Sequence, residues 1–189
     1  MALPNTRMGL RAVEPLIVND SAQSLEMMSA LMMGFGVTRS TKVHTAAEAR
    51  AAMMRTTFDV ILMDSELPGQ DGLSLVRHVR NDREGPNFSA PIILLSVDTA
   101  RPKVERARDA GVNFVIAKPV SATVLLERLL WIAQGRRLFV DAESYRGPDR
   151  RFQTLPMPDG VAERRESDLR LAATPERAMS QDEIDGLFL

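Results

Sequence analysis

The sequence predicts an α/β protein built on a five-stranded parallel sheet with helices on both faces. Short apolar runs alternate with longer amphipathic ones as far as about residue 135. The runs at 15–18, 59–63 and 91–95 are apolar almost throughout instead of alternating, as strands buried on both faces are. Each run is followed by helical spacing or a helix-capping signal. Five such β–α units imply a parallel sheet with right-handed crossovers.

The first strand, Pro15-Leu16-Ile17-Val18, ends in Asn19-Asp20. Residues 21–34 carry Leu25, Met28, Leu31 and Met32 at helical spacing and stop near Gly34. The second strand, about 37–43, is the weakest and is expected at an edge. Residues 45–55, rich in alanine, predict the second helix. The third strand, 59–63, ends at Asp64, and the segment SELPGQDG leads as a loop into a helix over about 73–80. The fourth strand, 91–95, ends at Ser96. Pro102 starts a helix that Gly111 stops. The fifth strand, 114–117, ends at Lys118-Pro119, and Ser121 is expected to cap a last helix reaching about Gln134.

Composition narrows the function classes. The chain is 44% hydrophobic and 26% charged with a net charge of -1, so no whole-chain drive toward polyanions or anionic membranes exists. It has no cysteine, which excludes disulfides, thiolate catalysis and zinc–thiolate sites. Its two histidines, His44 and His78, are far apart, which argues against a histidine-rich metal site. The first eleven residues lack the apolar core of a signal peptide, and no apolar run is long enough to span a bilayer. A cytoplasmic location is expected.

In an open parallel sheet, ligands bind at the carboxyl ends of the strands. Asn19-Asp20, Asp64, Ser96 and Lys118 fall at four of those ends. A carboxylate attacking phosphorus must overcome negative charge on both partners. Magnesium prefers carboxylate, carbonyl and water oxygens and relieves that repulsion. Asp20 and Asp64 offer carboxylates, and the Glu66 backbone carbonyl a third ligand. Lys118 offers a cation to a phosphoryl oxygen and Ser96 a hydroxyl donor. Phosphoryl transfer is then mostly positioning and electrostatics.

The pieces IVND, VILMDSELPGQDG, IILLS and IAKP, in this order and spacing, resemble response-regulator receiver domains of the CheY type across residues 13–135. The resemblance implies a flavodoxin-like (βα)5 fold and phosphorylation of Asp64 by a histidine kinase. It also implies that Ser96 moves toward the phosphoryl group while the face of helix four, strand five and helix five is remodelled. Three departures stand out. Asn19 stands where the family usually has a second acid that holds magnesium through water, so Asn19 would reach the ion through water and weaker metal binding is expected. Glu66 adds a carboxylate beside Asp64, which should alter phosphoryl lifetime. Val115 stands where many members carry a switch Tyr or Phe, so an aromatic rotamer switch is not expected.

Beyond Gly135, residues 136–189 hold nine of the 21 arginines, none of the three lysines and eleven acids. Residues 136–178 are expected to be mostly irregular. Arginine forks grip phosphates and guanine edges and stack on bases. The motifs Tyr145-Arg146-Gly147-Pro148-Asp149-Arg150-Arg151 and Glu163-Arg164-Arg165-Glu166 resemble the arginine-rich extensions of cyclic di-GMP-binding CheY-like (Cle) regulators. That resemblance nominates Tyr145, Arg146, Asp149, Arg150 and Arg151, with Arg164 and Arg165 as a second set. A solvated linker whose arginines pair with its own acids is the alternative. The acids oppose nucleic-acid binding, and no helix-turn-helix pattern fits.

The final ten residues, SQDEIDGLFL, start with a capping-box spacing, Ser180 to Glu183. Ile184, Leu187 and Phe188 then form a small apolar helical face that needs a partner groove. The peptide resembles the one by which flagellar switch proteins bind phosphorylated CheY-type receivers. It could dock on its own receiver or on another. The whole reads as a single-domain regulator in two-component signalling, acting by protein contact in chemotaxis or flagellar motor control and not as an enzyme. Self-catalysed phosphorylation and dephosphorylation would be its only chemistry. The alternatives are a phosphate sink or a phosphorylation-independent adaptor whose terminal peptide binds a CheY-type receiver.

Overall fold

The computed structural model describes residues 10–134, 138–149 and 178–188. After a short 3-10 turn (Leu10–Ala12) come β1 (Pro15–Val18), α1 (Ala22–Gly34), β2 (Thr41–Val43), α2 (Ala46–Met53) and β3 (Val60–Asp64). The short strands β4 (Glu66–Leu67) and β5 (Gln70–Asp71) precede α3 (Gly72–Asn81), β6 (Ile92–Ser96), α4 (Arg101–Asp109), β7 (Phe114–Ala117) and α5 (Ala122–Ala133). The C-terminal part adds β8 (Phe139–Asp141), β9 (Arg146–Pro148) and α6 (Gln181–Asp185).

Strands β2-β1-β3-β6-β7 form one parallel sheet in that order. Every residue of β1, β3 and β6 is buried, as their apolar sequences require. The weak second strand is at an edge, but only 41–43 pair with β1. Residues just before it close α1 instead, where the Val37 N–H donates to the Met32 carbonyl at 3.0 Å. The Ser21, Thr45 and Asp71 side chains each accept a backbone N–H at the starts of α1, α2 and α3. Ser121 takes the cap position of α5, yet its side chain makes no capping bond.

The segment after Asp64, expected as a loop, pairs Glu66 with Asp71 and Leu67 with Gln70 across the Pro68-Gly69 turn. Gly72 then starts α3 against the end of β3. A Cβ there would lie 2.6 Å from the Asp64 carbonyl oxygen, so only glycine lets the helix begin so close to the site.

Within the tail expected to be mostly irregular, residues 138–149 are ordered. They form an antiparallel hairpin, β8–β9, seated on the end of α3 and the turn before β7. The Phe139 ring meets Phe88 edge-on at 4.9 Å, and the Arg80 guanidinium lies 5.3 Å from the Phe139 centroid. Arg80 is buried and donates to the carbonyls of Gly111 (3.0 Å) and Phe88 (2.7 Å) and to Asn113 Oδ1 (3.3 Å). Desolvation lowers its pKa to about 10, with Tyr145 opposing the shift. Gly111, at φ 95°, admits β9, because a Cβ there would stand 2.3 Å from the Arg146 carbonyl oxygen. The run 138–149, with one arginine and three acids, thus orders because Phe139 covers a buried cation and packs on Phe88.

The terminal peptide folds back in cis. Ser180 and Glu183 form the expected capping box. Both are exposed and serve the helix's own start. Ile184 and Phe188 are fully buried, and Leu187 is half-buried. Phe188 lies 6.2 Å from Phe114, which also meets Trp131 of α5 edge-on at 5.1 Å. Asp185 pairs with the buried Arg128 of α5. Gln181 Oε1 accepts from the Ala117 N–H (2.8 Å), and its Nε2 donates to the Val115 carbonyl (3.1 Å). Upstream, Met179 and Thr99 exchange two hydrogen bonds of 2.9 Å each, beside an Ala178–Ala100 bridge. Among the described residues, no helix is long and apolar enough to cross a membrane.

Candidate functional site

The parallel register sets the ends of neighbouring strands side by side. Val18 is level with Met63, Asp64 with Leu95, and Ser96 with Ala117. Asn19, Asp64, Ser96 and Lys118 therefore emerge along one edge of the sheet. Asp64 is buried at 7% exposure. Its Oδ2 accepts from Lys118 Nζ and from Asn19 Nδ2 (2.8 Å). Its Oδ1 accepts the Glu66 N–H at 3.2 Å and is the less engaged oxygen.

The Asn19 amide can point only one way. Its Oδ1 accepts the Ser21 N–H at 2.9 Å, so Nδ2 must be the atom facing the carboxylate. Asn19 thus contributes a proton donor where a second carboxylate would have repelled Asp64. Asp20, one residue on, is exposed.

Ser96 is turned away from Asp64. Its hydroxyl donates to the Asp98 carbonyl (2.8 Å) and accepts from Ser65 Oγ (3.1 Å). Ser65 was not singled out from the sequence, although its place directly after Asp64 puts it at the same strand end. Asp98 pairs with Lys103 of α4 and also accepts the Ala100 N–H at 3.0 Å. These bonds, that from Lys103 foremost, hold the Asp98 carboxyl below its ordinary range and raise Lys103 in turn.

Beside the site lies a cleft of about 430 Å³ between β4–β5 and α4, lined by Glu66, Leu94, Ser96, Lys103, Val104 and Val115. Val115 forms its wall. Phe114, one residue earlier, faces the opposite side toward α5 and α6. Tyr145, Arg146 and Asp149 belong to the hairpin. Tyr145 donates its hydroxyl to the Pro148 carbonyl (2.7 Å), and Arg146 reaches Asn81 Oδ1 (2.7 Å) and Asp141 (3.3 Å). The Asp149 N–H donates to the Leu138 carbonyl at 2.8 Å. Arg150, Arg151, Arg164 and Arg165 lie outside the described residues.

A doubly wound parallel sheet with an acid at the end of its central strand, flanked by lysine and serine on the next two strands, defines the receiver class of signalling domains. Residues 16–130 match the response regulator receiver domain model, and the chain belongs to that family. The chemotaxis protein CheY-3 of Vibrio cholerae is 27% identical over 114 residues, covering 60% of this chain and 86% of that protein. The chemotaxis protein CheY of Pseudomonas aeruginosa is 28% identical over 114 residues, covering 60% and 90%. Among solved structures, Vibrio cholerae CheY4 superposes with a TM-score of 0.58 at 26% identity, over 64% of this chain and 98% of that one. The receiver domain of sensor histidine kinase PA1611 from Pseudomonas aeruginosa gives 0.57 at 30% identity, over 64% and 98%. That receiver coordinates a magnesium ion in its active site cleft.

Proposed function

We propose that the protein is a phosphoacceptor of two-component signalling that works by protein contact in chemotaxis or flagellar motor control, with Asp64 taking the phosphoryl group. The observation that carries this is the Asp64 carboxylate, bonded by Lys118 and Asn19 at the carboxyl edge of the sheet. An Asp64 oxygen forms a bond to phosphorus as the P–N bond of a kinase phosphohistidine breaks. The imidazole leaves with the electron pair and takes up a proton from solvent. Lys118 meets charge on the phosphoryl oxygens, and Ser96 supplies a hydroxyl once it turns from Asp98.

Magnesium is the cation proposed for this site. The donor chemistry fits it: Asp64 Oδ1 carries only the Glu66 N–H and Asp20 is exposed one residue beyond Asn19, so these two carboxylates and the Glu66 carbonyl would hold the ion, with Asn19 giving an N–H to Asp64 instead of a second acid. The ion would supply charge neutralisation for the transfer. In this reading the protein is no enzyme beyond its own phosphorylation and dephosphorylation. A histidine kinase is its donor. Its output face is the α4–β7–α5 surface, suited to a flagellar switch protein or a second CheY-type receiver.

Incubation with a small phosphodonor and magnesium should label the protein with hydroxylamine-labile phosphate, and Asp64→Asn should reduce that label to background. Label persisting in Asp64→Asn would move the phosphoacceptor elsewhere.

A second reading assigns cyclic di-GMP to the arginine-rich segment. Its support is that the hairpin fixes Tyr145 and Arg146 against the end of α3, where a bound nucleotide would be sensed by the domain. Arg146 would have to leave Asn81 and Asp141. Calorimetric titration of cyclic di-GMP should give heat that vanishes in the Arg150→Ala, Arg151→Ala double variant. Equal heat from both proteins would remove these two arginines from the site.

A further inference from the structure

We propose that the groove between β7 and α5 is a receptor for a capped acidic helix, that Arg128 selects such helices by demanding a carboxylate, and that the chain's own α6 keeps the groove closed to them. The inference stands apart from the chemistry of Asp64. In the groove, the polar groups of α6 meet fixed partners. The Gln181 amide can lie only one way. Its Nε2 donates to the Val115 carbonyl (3.1 Å) and to Asp185 Oδ1 (2.9 Å), while its Oε1 accepts the Ala117 N–H (2.8 Å). Asp185 Oδ2 accepts from Arg128 Nη2. Both charges are buried, Arg128 at 9% exposure and Asp185 at 7%. Ile184 and Phe188 supply the apolar anchors.

Arg128 carries the selectivity. Its guanidinium lies 5.3 Å from the Phe114 centroid, and its Nε is buried without a hydrogen-bond partner among the described residues. The Asp185 carboxylate balances its charge. A helix bringing an amide or an apolar side chain to that place would bury an arginine with no counter-charge, which is strongly unfavourable. Departure of α6 carries no such penalty, because water then reaches both charges. Two apolar anchors and one buried pair bind a free peptide of this length only weakly. Attachment to the same chain offsets that, since it holds α6 at an effective concentration of about 1 mM. A partner that carries a like helix therefore meets a filled groove and binds only by displacing α6.

The test uses the full chain with no phosphodonor and a fluorescein-labelled peptide copying residues 178–189, followed by anisotropy. Two full-length variants open the groove by different means. Ile184→Asp with Phe188→Asp removes the anchors of α6, and Asp185→Lys sets a second cation against Arg128. Both leave the groove itself unaltered. Each should bind the peptide about tenfold more tightly than the unaltered chain, the ratio of about 1 mM to a peptide Kd of about 100 µM. A peptide carrying Asp185→Asn should bind the opened variants at least tenfold more weakly than the native peptide. Equal binding by the unaltered and opened chains, or binding by none of them, overturns the filled groove. Equal binding of the two peptides overturns the role of Arg128. Every one of these outcomes leaves the Asp64 reading untouched, because no phosphoryl group is present.

Discussion

Replacing Asn19 by Asp should raise magnesium affinity about tenfold, since ligand charge count is the main lever on hard-cation binding. The same change should destabilise the metal-free protein. Asn19 Nδ2 now donates to Asp64 Oδ2 at 2.8 Å, and the aspartate would set two carboxylates against each other there. Losing a buried charge-assisted bond costs about 1–3 kcal/mol, partly offset because Lys118 also faces Asp64. Magnesium should reverse the sign. Calorimetric titration gives the affinity, and thermal melts with and without the ion give the stability. An unchanged affinity would place the ion away from Asn19, whatever happens to the melting temperature.

The second large effect concerns the hairpin. A chain ending after residue 149 should be more stable than one ending after residue 134 by about 2 kcal/mol, or roughly 5–10 °C in Tm. Both lack α6, so the difference isolates β8–β9. The gain comes from the Phe139–Phe88 ring contact and from covering Arg80. The Arg83–Asp141 pair, at 52% and 38% side-chain exposure, adds little. Equal melting temperatures would mean that the hairpin is carried by the domain without supporting it.

The sheet was legible because its strands bury both faces, which leaves unbroken apolar runs, and because Pro102 and Gly111 bound the helix between its last two strands. The grouping of Asp64, Lys118 and Asn19 was legible as well, since topology alone brings the strand ends together. The sequence did not reveal that Asn19 bonds Asp64 directly, because a role was assigned to its position and not to its N–H. The hairpin was hidden for another reason. Its partners, Arg80, Phe88 and Gly111, are remote in sequence, and a buried arginine leaves no periodic trace. Gln181 looked like one polar residue among several, and only the fold places it against β7.

The sheet has two rims, and the chain shields them differently. At β2 the rim is three residues long and bears the exposed Lys42, a charge that discourages another chain from pairing there. At β7 the rim reads Phe114-Val115-Ile116-Ala117, with no charge to repel a stranger. Gln181 occupies the Val115 carbonyl and the Ala117 N–H, the groups an intruding strand would seek. The terminal helix thereby takes up pairing groups of this margin, and a chain lacking it should aggregate more readily.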